Sequence, residues 1–422
     1  MKKQLNVYLK QDLIGHLGQD ESGEMWFQYT HEWCARDGAV ALSLSLPLRE
    51  EVYSRKACAG FFGGVLPEGK MRKLVAKNVG RSARNDYALL EEIGGDCAGA
   101  VSFLPEGVVP IAEEERVENL DHDGLLALLA ELPRRPLMAG KKEVRLSLAG
   151  AQNKLAVRCD KEGRIALPLG NTASTHILKP EEEHFEGLAE NEAFCLRLAR
   201  EVGLPAVDAE VRVVGAFTFL LVERYDRDDR TLDGGVDDGG EVVSEKQSVR
   251  RLHQEDFCQA MGVVSEMKYQ NEGGPTLEQC FELIRQSSDM PGKDVLTFFD
   301  AVVFNFLIGN NDAHGKNFSF LYREGTVRLA PLYDLVSTMY YPELSQKLAM
   351  KIGGEYRPAW LKPRHWHRMF ELSGLSVRLA ERRALALTDR MEKLGDRLAE
   401  TKLQKGVVGI VNKQVEILRR AL

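Results

Sequence analysis

A polar segment in the C-terminal half of the chain combines the residue types that phosphoryl transfer requires. It runs from Gly309 to Asn317, reads GNNDAHGKN, and directly follows an apolar run that predicts a buried helix ending at Gly309. Phosphoryl transfer needs a carboxylate to orient the attacking hydroxyl and an amide oxygen to help hold Mg²⁺. Asp312 and Asn317 lie five residues apart, as these two groups do in kinase catalytic loops. Asp312 is therefore the candidate base and Asn317 a candidate metal ligand.

A second aspartate follows the segment at the distance of one hairpin. The sequence FSFLYREGTVRLAPLYD predicts two short strands, after which Asp334 would return to the loop as the second metal ligand. The alternative is an ordinary helix C-cap and polar turn, where Asn, Asp and Gly are common. The combined spacing favours the metal site. Lys316 could contact the transferring phosphate or be a simple surface lysine, and we expect His314 to be a packed residue that shapes this nucleotide-binding loop.

The strand HILKP carries a second candidate, Lys179. A lysine near the end of an apolar strand costs free energy unless it is paired. The α- and β-phosphates of a nucleotide would supply that partner. Glu192 on the following helix could hold the lysine as kinase helices do, although Glu190 is close enough in sequence to take the same role.

Two further segments are weaker signals. The turn SLAGAQNK at 147–154 could direct backbone N–H groups at phosphate oxygens. It matches neither a G-x-G-x-x-G nor a Walker A sequence, so an ordinary hairpin turn is the alternative. The strand LVERYD at 221–226 could offer backbone groups to adenine.

The order of predicted elements places a strand-rich part before a helix-rich part, which indicates a bilobal α+β protein. The alternating run ALSLSLPL predicts a strand that buries leucine and exposes serine. VRLSLAGAQNKLAVRCD begins a second strand-rich region, and an Asp- and Gly-rich stretch between Asp226 and Lys246 predicts a mobile surface loop. The expected parts are 1–105, 106–225 and 226–422.

Composition narrows the class of protein. The chain has 422 residues, of which 44% are apolar and 28% charged, as in ordinary globular proteins. A net charge of −7 argues against a general binder of nucleic acid or membrane surfaces. Seven scattered cysteines without a C-x-x-C pair indicate reduced thiols, and no apolar stretch is long enough to cross a bilayer. We therefore expect a cytoplasmic protein without a membrane partner.

Seven motifs together resemble one known family. RLSLAGAQNK, HILKP, NEAFCLRLAREVG, VERYDR, GNNDAHGKNFS, APLYD and KLAMKIGG occur in the order and approximate spacing of HipA proteins, the kinase toxins of HipBA toxin–antitoxin modules. LSLSLPL and LLEEIGGDCAGAVSF resemble the N-terminal subdomain of that family. The resemblance implies a protein-kinase-like fold related to phosphoinositide kinases, and a serine/threonine kinase that uses ATP and Mg²⁺.

The resemblance also implies a role for each matching residue. Asp312 would be the catalytic base, Asn317 and Asp334 would bind Mg²⁺, and Lys179 would contact the ATP phosphates. Glu223 and Tyr225 would lie at the adenine hinge, with His314 and Lys316 in the nucleotide-binding loop. Ser147 would be the autophosphorylation site, and its phosphorylation would expel the adjacent phosphate loop. That loop would consist of Leu148, Ala149, Gly150, Ala151, Gln152, Asn153 and Lys154.

Partners follow from the same resemblance. They are a HipB-like helix-turn-helix antitoxin, operator DNA bound through that complex, and a protein substrate such as glutamyl-tRNA synthetase, whose phosphorylation arrests growth and gives persister cells. The stretch at 228–246 departs from the family in length or composition. Two alternatives remain: a pseudokinase corepressor without activity, and a kinase with a small-molecule or lipid substrate.

Overall fold

The computed structural model describes residues 4–110, 115–182, 184–228 and 249–422. The chain forms two compact units. The N-terminal unit comprises Met1–Lys179, Val214–Phe217 and Glu223–Glu255, and the C-terminal unit comprises Pro180–Val213, Thr218–Val222 and Asp256–Leu422. Most of the Asp- and Gly-rich stretch that predicts a mobile loop lies outside the described residues.

Strands and helices are numbered in chain order. The strands are β1 (Gln4–Leu9), β2 (Asp12–Gln19), β3 (Met25–Tyr29), β4 (Val101–Pro105), β5 (Arg116–Asn119), β6 (Leu155–Cys159), β7 (Ile165–Leu169), β8 (His176–Pro180), β9 (Ala209–Val214), β10 (Phe217–Glu223), β11 (Arg227–Asp228), β12 (Arg250–Arg251), β13 (His253–Asp256), β14 (Ser319–Arg323) and β15 (Thr326–Leu329). The helices are α1 (His31–Cys34), α2 (Arg55–Gly64), α3 (Gly69–Asn78), α4 (Asp86–Ile93), α5 (His122–Glu131), α6 (Leu188–Glu201), α7 (Phe257–Ala260), α8 (Leu277–Ser287), α9 (Pro291–Leu307), α10 (Pro363–Ser373), α11 (Val377–Leu398) and α12 (Lys402–Ala421).

The N-terminal unit begins with an antiparallel sheet in the order β3-β2-β1-β4. Val7 of β1 lies opposite Gly15 of β2 and Phe103 of β4, so the apolar positions of neighbouring strands share one face. Helices α2 and α4 pack on the sheet, where Phe62 meets Phe27 and Phe103 with ring centroids 5.3 and 5.7 Å apart.

The prediction of a strand at ALSLSLPL is wrong. The segment is irregular: Ser43 is fully buried and Leu44 is 38% exposed, against the expected faces, whereas Leu42 and Leu46 are fully buried as expected. The Ser43 hydroxyl donates to Glu255 Oε2 at 2.5 Å, and the Leu44 N–H donates to Glu255 Oε1 at 3.1 Å. A buried carboxylate from a distant part of the chain therefore satisfies this backbone, where a strand would need a hydrogen-bonded neighbour.

Strands β5, β7, β6 and β8 lie side by side in that order in the same unit. A turn at Asp160 joins β6 to β7, since the Gly163 N–H donates to the Asp160 carbonyl at 3.0 Å. VRLSLAGAQNKLAVRCD is a strand only from Leu155, so the first part of that prediction is wrong. The residues of this sequence before Leu155 are irregular and form isolated β-bridges, such as the one between Leu146 and Asp96.

The C-terminal unit is mainly helical, as the sequence predicts. Helix α9 lies at its centre, contacts α8, α11 and α12, and begins with proline, whose missing N–H costs nothing at a first helical position. Its Phe298 packs edge-on against Phe281 with ring centroids 4.9 Å apart, and Phe306 packs against Trp366 at 5.0 Å. The predicted hairpin after α9 is confirmed as β14 and β15. In the part of the chain that the structure describes, no helix combines the length and apolar character needed to cross a membrane.

Candidate active site

Gly309 follows the end of helix α9, and any other residue at this position would be strained. Gly309 has φ +68°, in the left-handed region, and a Cβ placed there would lie 2.8 Å from Ile410 Cγ2 and 3.0 Å from Met339 Cβ. The Gly309 carbonyl accepts hydrogen bonds from the Met339 N–H at 3.0 Å and the Thr338 hydroxyl at 3.1 Å. The chain therefore leaves the helix in one defined direction, which is where the polar loop begins.

Asparagine side chains hold the backbone of this loop. The Asn310 N–H and Nδ2 donate to the carbonyl and side-chain oxygens of Asn305, each at 2.8 Å. The Asn310 side-chain oxygen in turn accepts from the Asp312 N–H at 3.1 Å. A separate contact holds the backbone of Asn311, because the Asn311 carbonyl accepts a hydrogen bond from the Ala349 N–H at 2.8 Å. The two residues that precede Asp312, and the Asp312 N–H itself, are therefore held by hydrogen bonds.

The Asp312 carboxylate is exposed and faces a cavity of about 420 Å³. Its Oδ1 accepts a hydrogen bond from the Tyr269 hydroxyl at 2.8 Å. A catalytic base must be reachable by the hydroxyl that it deprotonates, and the exposure of Asp312 meets that condition. The cavity is lined by both polar and apolar groups, among them Tyr269, Ser345, Lys347, Leu348 and Tyr356.

The two candidate metal ligands lie next to each other. Asn317 Nδ2 is 3.5 Å from Asp334 Oδ2, and Asn317 Oδ1 accepts from the His314 N–H at 3.1 Å. Asp334 has φ +51°, an uncommon backbone conformation that is often found at functional sites. The oxygen atoms of this pair fit Mg²⁺, which prefers carboxylate and carbonyl oxygens as ligands. Asn317 Oδ1 accepts one hydrogen bond and keeps a second lone pair for a metal ion. The described residues contain no cluster of three or more His, Cys, Asp or Glu, so this pair would need phosphate oxygens or water to complete a metal site.

Hairpin β14–β15 brings Asp334 back to the loop, as the sequence predicts. The Tyr333 hydroxyl donates to the Lys316 carbonyl at 2.7 Å and lies 2.6 Å from the Ser319 hydroxyl. The Leu332 N–H donates to the Pro205 carbonyl at 2.8 Å. The residues just before Asp334 are therefore bonded both to the catalytic loop and to the segment ahead of β9.

Lys316 is not the surface lysine of the alternative interpretation. It is 8% exposed, and its ammonium lies 3.0 Å from Asp256 Oδ2 and donates to the Ser265 hydroxyl at 3.3 Å. His314 is also buried, and its ring packs edge-on against Tyr269 with centroids 5.2 Å apart. The packed role expected for His314 agrees with this position, whereas a phosphate contact from Lys316 stays a prediction.

Ser147 is fully buried in the N-terminal unit. Its hydroxyl donates to the Val65 carbonyl at 3.0 Å, and its N–H donates to the Asp96 carbonyl at 3.0 Å. The Asp96 N–H donates to the Arg145 carbonyl at 2.8 Å. The hydroxyl cannot meet a phosphoryl donor in this conformation, so modification of Ser147 would require local opening of the segment.

The turn after Ser147 has the shape of a possible phosphate cradle. Gly150 has φ +106°, its carbonyl accepts from the Glu68 N–H at 3.0 Å, and the Lys154 ammonium donates to the Ala149 carbonyl at 2.9 Å. Asn153 Oδ1 is buried and has no hydrogen-bond partner among the described residues. An amide oxygen accepts hydrogen bonds and donates none, so a phosphate in this turn would have to meet N–H groups and not this atom.

Lys179 and Glu192 are both buried, at 4% and 2% exposure, on β8 and α6. Glu190, the alternative partner, is at the surface, and its carboxylate accepts a hydrogen bond from the Thr401 hydroxyl. Glu192 is thus the more buried of the two glutamates, and the pairing of either with Lys179 stays a prediction.

The predicted hinge residues differ in environment. Glu223 is exposed, whereas Tyr225 is half-buried and its hydroxyl donates to Gln254 Oε1. Between and after them lie charges that the sequence interpretation missed: Arg224 and Asp226 are buried, with Arg224 Nη2 2.8 Å from Asp226 Oδ2. The sequence does carry a signal for these buried charges, because arginine and aspartate alternate directly after an apolar strand.

These buried charges centre on Asp96. Its carboxylate lies 2.7 Å from Arg227 and 3.3 Å from Arg251, and accepts from the Ser174 hydroxyl at 2.5 Å. Burial by itself would raise the pKa of Asp96, but the charges of Arg227, Arg251 and Arg224 hold that pKa well below its usual range. Burial and the like charge of Arg224 lower the pKa of Arg227 to about 10. We call Asp96 and its three arginines the Asp96 cluster.

Comparison with known proteins shows the family to which this chain belongs. The model of the HipA N-terminal domain matches residues 5–104, and that of the HipA-like C-terminal domain matches residues 146–398. The chain belongs to the HipA family, which confirms the resemblance seen in its motifs. The predicted boundary at 105 lies beside the end of the first match, and the three-part division stays a prediction.

Individual relatives agree with this membership. The protein named "Putative kinase Y4mE" of Sinorhizobium fredii is 44% identical over 400 residues, covering 94% of this chain and 92% of the relative. "Serine/threonine-protein kinase toxin HipA" of Shewanella oneidensis is 30% identical over 368 residues, covering 84% and 79%. The solved HipA of Shewanella oneidensis MR-1, in a complex with HipB and operator DNA, has a TM-score of 0.81, 27% identity, and coverage of 99% and 96%. The predicted α+β fold class is confirmed.

Proposed function

We propose that this protein is a serine/threonine protein kinase that uses ATP and Mg²⁺ and acts as the toxin of a toxin–antitoxin module. The observation that carries the proposal is the arrangement of the catalytic loop: an exposed Asp312 in a cavity, on the same loop as Asn317, which lies 3.5 Å from Asp334. The naming of relatives as kinases supports it.

In this proposal each residue has one task. Asp312 orients the acceptor hydroxyl and takes its proton as the hydroxyl oxygen bonds to the γ-phosphorus of ATP and the bond from that phosphorus to the leaving ADP breaks. Asn317 and Asp334 would hold Mg²⁺, which supplies charge neutralisation for the nucleotide phosphates. Lys179, together with the turn at 148–154, would bind those phosphates, and Glu223 with Tyr225 would border the adenine.

The exposure of the cavity favours a protein acceptor over a small molecule. Small-ligand sites typically bury about 70–90% of the ligand surface. Here Asp312 and four neighbours that line the cavity are exposed to solvent: Asn271, Glu272, Ser345 and Lys347. A hydroxyl on a protein segment can reach such a base, and glutamyl-tRNA synthetase is the substrate that the family resemblance suggests.

We extend the proposal to a partner of the helix-turn-helix antitoxin class. The HipA of Shewanella oneidensis was solved with HipB and operator DNA, and this chain covers nearly all of that protein. The net charge of −7 disfavours strong binding to DNA by this chain alone. Contact with operator DNA would therefore depend on the antitoxin.

Replacing Ser147 with alanine tests the proposed acceptor. Incubation of the purified wild-type protein with Mg²⁺ and ATP is expected to add one phosphoryl group at Ser147, slowly, because the buried hydroxyl must first leave the Val65 carbonyl. Intact-protein and peptide mass spectrometry should show no such group in Ser147→Ala. Ser102→Ala, a matched change at another buried serine of the same unit, should label like the wild type. Full labelling of Ser147→Ala would place the acceptor elsewhere.

Replacing Asp334 with asparagine tests the metal site. The change removes a carboxylate from a pair that would hold Mg²⁺, so affinity for ATP in the presence of Mg²⁺ should fall by at least about tenfold, the loss that even an outer-shell partner causes. Isothermal titration calorimetry with ATP in Mg²⁺ and in EDTA measures this. Equal losses in both buffers would mean that Asp334 supports the fold and does not hold the metal.

A further inference from the structure

We propose that Tyr269 is a positioning residue for Asp312, an inference that rests on the proposed kinase function. The Tyr269 hydroxyl donates to Asp312 Oδ1 at 2.8 Å. A hydrogen bond to one carboxylate oxygen restricts rotation of the carboxylate and so sets the direction of the other oxygen. The phenol thereby aims the base into the cavity where an acceptor hydroxyl must arrive.

Tyr269 is itself held on two sides. Its ring packs edge-on against His314 of the catalytic loop, with centroids 5.2 Å apart and the ring planes at 76°. Its carbonyl accepts from the N–H groups of Glu272 and Gly274, each at 2.9 Å, which closes a tight turn directly after it. The phenol is therefore preorganised, and a group that is preorganised can position another.

The turn that carries Tyr269 shares a support with the catalytic loop. The Gln270 N–H donates to the Ala349 carbonyl at 3.2 Å, and Gln270 Oε1 accepts from the Lys351 N–H at 2.7 Å. The Ala349 N–H donates to the carbonyl of Asn311, the residue before Asp312. The segment from Ala349 to Lys351 thus bonds both to the residue after Tyr269 and to the residue before Asp312. These bonds maintain the distance between the phenol and the carboxylate.

Packing between the two loops adds a steric constraint. Gly315 has Pro275 and Cys258 so close that a Cβ would lie 2.7 Å from Pro275 Cγ and 2.9 Å from Cys258 Sγ. The catalytic loop and the turn after Tyr269 therefore touch at a position where only glycine fits. Tyr269 has no counterpart in the sequence motifs, because the bond to Asp312 joins residues 43 positions apart.

Replacing Tyr269 with phenylalanine removes the hydroxyl and keeps the ring against His314. We expect the rate constant for phosphoryl transfer to Ser147 at saturating ATP and Mg²⁺ to fall about tenfold, since a misdirected base loses transition-state stabilisation. The ATP concentration at half-maximal rate should stay within about twofold, because no nucleotide contact changes. A general loss of folding would instead lower the amount of active protein, so that the rate constant per folded molecule would stay at the wild-type value.

The control is Tyr340→Phe, which removes the hydroxyl of another tyrosine in the C-terminal unit. Like Tyr269, Tyr340 packs edge-on against a neighbouring ring, that of Tyr341, with centroids 5.3 Å apart. It should behave as the wild type. A crystal structure of Tyr269→Phe should show the Asp312 carboxylate rotated. An unchanged carboxylate or an unchanged rate constant overturns the proposal. Absence of any phosphoryl transfer in the wild type overturns the kinase function instead, and the crystal structure then decides the role of Tyr269 by itself.

Discussion

Asp312→Asn is expected to reduce phosphoryl transfer by about 10²–10⁴-fold, the range that a general base contributes. The amide has the size of the carboxylate and can still accept the Tyr269 hydrogen bond, but it cannot take a proton from an acceptor hydroxyl. The backbone that precedes Asp312 is held by the hydrogen bonds of Asn310 and Asn311, so the loop should keep its shape. Binding of ATP with Mg²⁺ should be unchanged, since Asn317 and Asp334 are untouched.

The measurement is phosphoryl incorporation over time by intact-protein mass spectrometry, with nucleotide affinity determined in parallel by calorimetry. Asp396→Asn, an exposed aspartate of α11, is the matched control and should transfer phosphate at the wild-type rate. Retention of more than about a tenth of the activity in Asp312→Asn would exclude this residue as the base.

The same variant separates the toxin from a pure corepressor. Expression of the wild type without an antitoxin should arrest growth, while Asp312→Asn should not, because arrest requires phosphorylation of a substrate. Both should copurify equally with a helix-turn-helix antitoxin and shift operator DNA with it, since the change leaves the surface elsewhere intact. Arrest by Asp312→Asn would show that toxicity is independent of catalysis. Absence of arrest and of phosphorylation in the wild type would favour a corepressor.

Asp96→Asn is expected to lower the free energy of unfolding by about 3–5 kcal/mol, the usual cost of removing one partner from a buried ion pair. Asp96 is fully buried with Arg227, Arg251 and Arg224, and the amide would leave these guanidinium groups without one of their anions. Urea unfolding followed by circular dichroism measures the change. Glu118→Gln, which breaks the exposed pair with Lys141 in the same unit, is the control and should cost at most about 1 kcal/mol.

The effect of Asp96 should depend on pH in a defined direction. Its pKa is lower in the folded protein than its ordinary value of 3.8, so the stability that it contributes is present above about pH 4 and is lost as the pH falls further. The difference in unfolding free energy between the wild type and Asp96→Asn should therefore be constant near neutral pH and shrink below about pH 4. A difference that stays constant into acid would mean that the negative charge of Asp96 is not what stabilises the fold.

Several local features could be read from residue order because they depend on neighbours in the sequence. The helix ending at Gly309, the spacing of Asp312 and Asn317, and the hairpin that returns Asp334 all follow from periodicity and turn residues. The alternation in ALSLSLPL misled, since a pattern specifies faces only when a neighbouring strand is present to pair with it. Ser43 bonds to Glu255 instead, and that contact spans 212 residues.

The sequence by itself determined the family, the α+β class and the candidate residues of the polar loop after α9, because these depend on residue types at short, fixed separations. Only the tertiary structure decided which groups surround them. It placed the Tyr269 phenol on Asp312, buried Lys316 beside Asp256, hid the Ser147 hydroxyl, and joined Asp96 to its arginines. Each of these contacts links distant segments, and each depends on burial, which changes the energy of a charge or a hydroxyl but leaves no local trace in residue order.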